Sequence, residues 1–301
     1  MSAIEDNMRL VVSVPAAVAA AVCLTAPSPA SAAYGVSAPV NAQTAYSSVP
    51  QVLPGDVSSL GFEASSASEI GDEVGLVPAS GGPRRRVLTS LRVVMSSQQC
   101  QTRLALGDTC VTTPGSYFSH PITASVYAVD GSSGTPRAGA LLASRTRSFD
   151  IAFRPSQDDK RCKEANLGKW FDVTTNTCFS GVTQNIVFHF PRGVPLPRQV
   201  IWTVAYDTTH YGYHPIGEGA PCFSTRAGCG YDSLNVGVQT FPGSPFTGTH
   251  VVQNRIFLAS TSGPAYCDGG TGGIGFFRLD TPCWTGFTPL AEIKAKDTRP
   301  T

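Results

Sequence analysis

Charged side chains are scarce in this chain. They make up 14% of its 301 residues, against roughly a quarter in an average soluble domain, and the formal charge at pH 7 is only +1. Without clustered lysine and arginine there is no electrostatic footprint for nucleic acid or for an anionic membrane surface. The one basic run, Arg84-Arg85-Arg86, follows Gly-Gly-Pro in a turn context and reads as solvated charge. No window sustains an amphipathic helical period beyond three turns, which excludes long surface helices. GxSxG, HExxH and SxxK do not occur, so the chain carries none of these hydrolase signatures. No cysteine spacing is CxxC, which argues against zinc-ribbon and thioredoxin-like readings.

Turn formers are abundant instead. The 30 glycines and 23 prolines exceed average usage of about 7% and 5%, and between them lie apolar runs of strand length. In LRVVM, Leu91, Val93 and Met95 share one face. In PITASVYAV, Ile122, Ala124, Val126 and Ala128 oppose Thr123, Ser125 and Tyr127. Phe149, Ile151 and Phe153 line up in SFDIAF, as do Ile186, Phe188 and Phe190 in NIVFHF. That period of two is the signature of a half-buried strand. QVIWTVAY is apolar on both faces, as a central strand buried between layers would be, and Trp202 within it is a core residue. Further strands are expected at Leu234–Val238, Arg255–Leu258 and Gly275–Leu279. About ten strands with turn chemistry between them predict an all-β chain: a single β-sandwich or jelly-roll-like domain over residues 50–294.

The N-terminus reads as a processing segment. Leu10 to Thr25 is an apolar core of signal-peptide length, and Ala30-Ser31-Ala32 before Ala33 is a small-x-small cleavage site. Glu5 and Asp6 are out of place in a signal peptide, whereas Met8-Arg9 would begin a normal one. Residues 1–32 are therefore a signal peptide starting at Met1 or Met8, 33–49 a flexible leader, and 295–301 a flexible tail. With Cys23 removed, eight cysteines remain: Cys100, Cys110, Cys162, Cys178, Cys222, Cys229, Cys267 and Cys283. An even count in an exported chain implies disulfides, although eight cysteines allow 105 pairings. Their grouping into four sequence-local couples, each flanking a polar loop, favours local links.

The segments SLGFEA, GDEV, LTSLRVVMSS, CVTTPGSYFSHPITASVY, VIWTVAYDTTHYG, PIGEGAPC, GCGYDSLNVG and FRLDTPCWTGF occur in this order across Val49 to Ile293. In them the chain resembles a group of uncharacterised secreted bacterial all-β proteins. The resemblance implies export and one all-β unit; no activity or site comes with it.

Four features invite chemistry. His210 and His214 could share a metal if helical, with Glu218 or Asp232 as a third ligand, but Gly212 and Pro215 disfavour a helix. On a strand the two would lie about 13 Å apart, so the segment reads as a loop closed by Cys222 and Cys229. Gly270, Gly272 and Gly275 satisfy GxGxxG yet lead into a strand-like run without a βαβ unit, which makes them a hairpin loop. The acids from Glu63 to Glu73 read as a solvated strand edge, a structural calcium site being the alternative. Two of the acids Glu63, Glu69, Asp72, Glu73, Glu218 and Asp232 could form a glycosidase pair. Finally, Trp170, Tyr211, Tyr213 and Trp284 sit in or beside the cysteine-bounded loops, where exposed rings can stack on sugars or anchor a partner. They can equally pack on the disulfides.

The expected function is a secreted, extracellular, non-catalytic binding or adhesion module without a cofactor. Carbohydrate is the first ligand and a surface protein the second. A secreted polysaccharide hydrolase and a purely structural envelope or surface protein are the alternatives. For the mature chain we expect no free thiol and links 100/110, 162/178, 222/229 and 267/283; non-reducing peptide mapping checks this, and one long-range link would refute it.

Overall fold

The computed structural model describes residues 42–79, 85–102, 109–206, 233–238, 241–251, 253–280, 284 and 286–298. Among these residues the elements are strands, with 3-10 turns at Glu164–Asn166 and Gly263–Ala265 and 3-10 conformation at Ser233. Two antiparallel sheets pack face to face as a sandwich. The first holds β1 (Gln43–Ser47), β2 (Ser59–Gly61), β4 (Arg85–Ser97), β9 (Val182–His189), β10 (Pro195–Leu196), β12 (Leu234–Gly237) and β16 (Ala291–Thr298). The second holds β3 (Ala67–Gly75), β5 (Tyr117–Asp130), β6 (Arg137–Ala152), β11 (Gln199–Ala205), β13 (Thr249–His250), β14 (Phe257–Ser260) and β15 (Arg278–Leu279). A separate hairpin joins β7 (Trp170–Asp172) to β8 (Thr177–Phe179).

The first sheet is organised by β4, which is bonded along both edges. On one side β16 pairs with residues 85–93 and β12 with residues 95–97; on the other β10 pairs with residues 86–87 and β9 with residues 90–97. Its alternation places Leu91, Val93 and Met95 in the core, as expected. Leu88 joins them although it lies three residues before Leu91, an odd spacing that should reverse its face. A β-bulge resolves this: Leu88 pairs with Ala295 and Ser90 with Lys294, leaving Thr89 as the extra residue, its hydroxyl donating to the Lys294 carbonyl at 2.9 Å.

The second sheet runs β15-β14-β3-β11-β5-β6, with β13 on the same edge of β3 as β14. Its inner face contributes Ile70, Val74, Val200, Trp202, Val204, Ile122, Ala124 and Val126 to one apolar cluster with the first sheet. Trp202 is fully buried. Full burial of an aliphatic or Phe side chain is worth about 1.5–3 kcal/mol. The outer face of β11 is covered too, Ile201 and Thr203 being inaccessible. Phe277 stacks over this face, with its centroid 5.3 Å from Phe257 of β14 and 6.1 Å from Tyr127 of β5. The sixteen-residue β6 forms the outer edge, and its register sets Arg145 and Arg147 opposite Ala124 and Ile122, on the inner side. Arg145 donates to the His189 carbonyl, and the Arg147 guanidinium lies 5.6 Å from the Phe149 ring.

Several boundaries correct the sequence reading. The expected leader contains β1, which pairs with β16 and buries Tyr46 completely; one tyrosine among Ala, Thr and Ser shows no periodicity, so the strand is made by its partner. The expected tail extends β16 to Thr298, in which Ala291, Ile293 and Ala295 face inward. The strand expected at Arg255–Leu258 lies two residues later, and that at Gly275–Leu279 shrinks to Arg278–Leu279. Disulfides join Cys100 to Cys110 and Cys162 to Cys178, each with Cα atoms 5.8 Å apart. Cys267 is disulfide-bonded as well; Cys222, Cys229 and Cys283 lie outside the described residues, as do the signal segment and Arg84.

Because Leu91 is fully buried on the doubly paired strand, Leu91→Ala should cost about 2–5 kcal/mol. Leu141→Ala, at a β6 position that is 55% exposed, should change stability by less than about 0.5 kcal/mol. Urea denaturation of the two variants checks the contrast.

Candidate functional site

The acids of β3 are not at a solvated edge, which corrects the sequence reading of that segment. Ile70 and Val74 face the core, and the period of two places Asp72 between them on the same face; it is 1% exposed. Glu73 points the other way and is also buried. A buried carboxylate needs a partner, and β13 supplies it. His250 pairs with Val74 in the ladder, two residues along from Asp72, and both Asp72 carboxylate oxygens lie 3.1 Å from His250 Nε2. The approach to β13 is sterically fixed. Gly248 has φ of +77°, and a Cβ there would strike the Gly75 carbonyl oxygen and sit 3.0 Å from the Tyr46 ring.

The electrostatics follow from burial. For Asp72 burial is the largest influence and pushes its carboxyl up, with the hydrogen bond and charge of His250 opposing it. Burial and then the Asp72 charge push Glu73 up. The Tyr46 phenol is pushed up by its own burial and next by the Asp72 charge. For His250, burial favours the neutral ring, but the hydrogen bond and charge of Asp72, joined by the charge of Glu73, outweigh it and raise its pKa. The pair therefore holds its extra proton to a higher pH than a free imidazole does. Another buried histidine behaves oppositely: burial alone lowers His120 to about 3, within a wall that includes Tyr206 at 5.2 Å.

His250 also lines a surface depression of about 440 Å³. Its lining includes Ser244, Gln253, Asn254 and Thr288 and the backbone at Gly248 and Thr249, together with Phe287, which is 42% exposed. With Nε2 committed to Asp72, Nδ1 is the ring nitrogen left for the depression. A second groove of about 500 Å³ runs beside the β7–β8 hairpin, between Asp56, Gln98, Lys169, Phe179 and Ser180, with Cys178 in its wall. The depression is the stronger candidate, because a pocket of convergent polar groups there meets a perturbed ionisable pair.

Trp170 and Trp284 are half-buried. The Trp170 indole N–H donates to the Gly181 carbonyl at 2.6 Å, and its ring lies 5.5 Å from Phe179. The Trp284 N–H donates to Asp280 at 2.8 Å. His210, Tyr211, Tyr213, His214, Glu218 and Asp232 lie outside the described residues. The GxGxxG glycines form an ordered loop in which the Asp268 carboxylate accepts the N–H groups of Gly270 and Gly272 and pairs with Arg278 at 2.8 Å. Among the described residues no three His, Cys, Asp or Glu side chains are grouped as metal ligands. No protein-family model, curated protein or solved structure matches the chain.

Two histidines shifted in opposite senses set a pH profile. His120, whose folded pKa is depressed, contributes stability that is present above the ordinary imidazole value of about 6.5 and lost as pH falls toward about 3. His250, whose folded pKa is raised, contributes stability that is present below the ordinary value and lost as pH rises through the raised one. Each limb has a slope of at most about 1.4 kcal/mol per pH unit. Urea unfolding against pH should show both limbs, His120→Phe removing the acid one and His250→Gln the alkaline one.

Proposed function

We propose that this chain is a secreted, non-catalytic binding module, with carbohydrate ahead of protein as its ligand, and that it binds at the His250 depression. The observation that carries this reading is one exposed ring, Phe287, set among hydroxyl and amide side chains in a concavity of about 440 Å³. That volume lies in the range of small-ligand sites. An aromatic face takes the apolar C–H face of a pyranose, and Ser244, Gln253, Asn254 and Thr288 can donate to and accept from its hydroxyls. The disulfides support passage through an oxidising compartment. Hydrolysis is the second reading, favoured by the Asp72–His250 pair, since a carboxylate that orients an imidazole is also how a general base is built.

Retention on insoluble polysaccharides separates the readings. Phe287→Ala should weaken retention about tenfold or more, as loss of an anchoring ring does, while the protein stays folded, because the residue is 42% exposed and outside the buried core. Equal retention by the two proteins would remove the depression as the binding site. Soluble sugar released by wild type but not by His250→Gln would replace binding with hydrolysis.

A further inference from the structure

His250 is at once a floor residue of the depression and half of a buried ion pair. Its side chain is 8% exposed, so the ring meets the depression along one edge only. Among the described residues the titratable group that faces it is Asp72 of β3, with Tyr46 of β1 beside Asp72 and the Glu73 charge felt from the opposite face of β3. Lysine, arginine and acid side chains are missing from the described lining, whose other polar groups are hydroxyls and amides. A ring that carries both protons and gives Nε2–H to Asp72 turns Nδ1–H into the one charged donor among the described lining groups. A charge-assisted hydrogen bond is roughly twice as strong as a neutral one, and it requires an acceptor oxygen. Hydroxyls and amides tolerate either role. We propose that His250 Nδ1–H selects the ligand, and that the depression takes a saccharide bearing a strong acceptor, either an acetamido carbonyl or a uronate carboxylate. This rests on the binding reading above and adds a ligand class and a proton to it.

The sign follows from the geometry. Loss of the ring proton turns Nδ1 from donor to acceptor and sets its lone pair against the ligand oxygen, so binding weakens as pH rises through the titration of His250. The test is retention of the full mature chain on chitin, on immobilised polygalacturonate and on cellulose from pH 5.5 to 9, with the His250 imidazole followed by NMR in the same buffers. The expected result is retention on chitin or polygalacturonate that falls about tenfold or more across the imidazole titration, with weak retention on cellulose throughout. Preference for chitin identifies the carbonyl, and preference for polygalacturonate the carboxylate. Asp72→Asn should move the midpoints of binding and of the imidazole together to lower pH, a shift that mere support of the fold would not produce. If that variant does not fold, His250→Gln should leave retention independent of pH. Retention by wild type that ignores pH, or a pH dependence that survives His250→Gln, would overturn the role of His250 while the Phe287→Ala comparison still stood. Cellulose held as tightly as the other two would overturn the ligand class. No retention on any polymer at any pH would overturn the binding reading and this inference together.

Discussion

Strand β4 is hydrogen-bonded on both edges by four other strands, and the first sheet exists only through it. β16 and β12 share one edge, and β10 and β9 share the other. These partners come from sequence positions as far apart as residue 182 and residue 298. In this sheet little local structure can form before those distant segments meet, and such non-local pairing is the regime in which folding is slow. The bulge at Thr89 is what lets one long strand serve both ends of the core, because it restores the inward face of Leu88 beyond Leu91. Around that spine the second sheet repeats the plan on a smaller scale, with β3 taking β11 on one edge and both β14 and β13 on the other.

It is this second spine that creates the candidate site. β13 is only two residues long, yet it delivers His250 to the inner face of β3 beside Asp72. Pairing two charges away from water is a weak source of net stability, whereas removing one partner is costly, about 3–5 kcal/mol, because the other is left buried alone. The arrangement thus adds little to the fold yet is costly to disrupt in part.

Much of the sandwich was legible from period-two alternation, since Leu91, Val93 and Met95, or Ile186 and Phe188, leave only one face for the core. The site was not read, although part of its signal was present. In Ile70-Gly71-Asp72-Glu73-Val74 the apolar residues four apart place Asp72 on the core face, and a carboxylate there demands a partner; counting the acids as one cluster hid this. The partner itself carried no local mark. His250 lies 178 residues away in sequence, in a two-residue strand whose existence depends on the edge of β3. β1 was illegible for the same reason, as its pairing with β16 depends on the far end of the chain and not on its own composition. The loop aromatics drew attention because cysteines flank them, yet the indole N–H groups of Trp170 and Trp284 are spent on Gly181 and Asp280.

The long β6 edge has a consequence for the molecule in a crowd of its own copies. A sixteen-residue outer strand offers a template on which a second chain could lay another strand. Adding one would bring new backbone against the rim where the half-buried Arg145 and the exposed Arg147 lie on the register of the inner face, and the desolvation of two guanidinium groups opposes that docking. Guanidinium keeps its charge up to pH values of about 12, so the deterrent would persist in acidic and alkaline surroundings alike, where a histidine or carboxylate gatekeeper would fail.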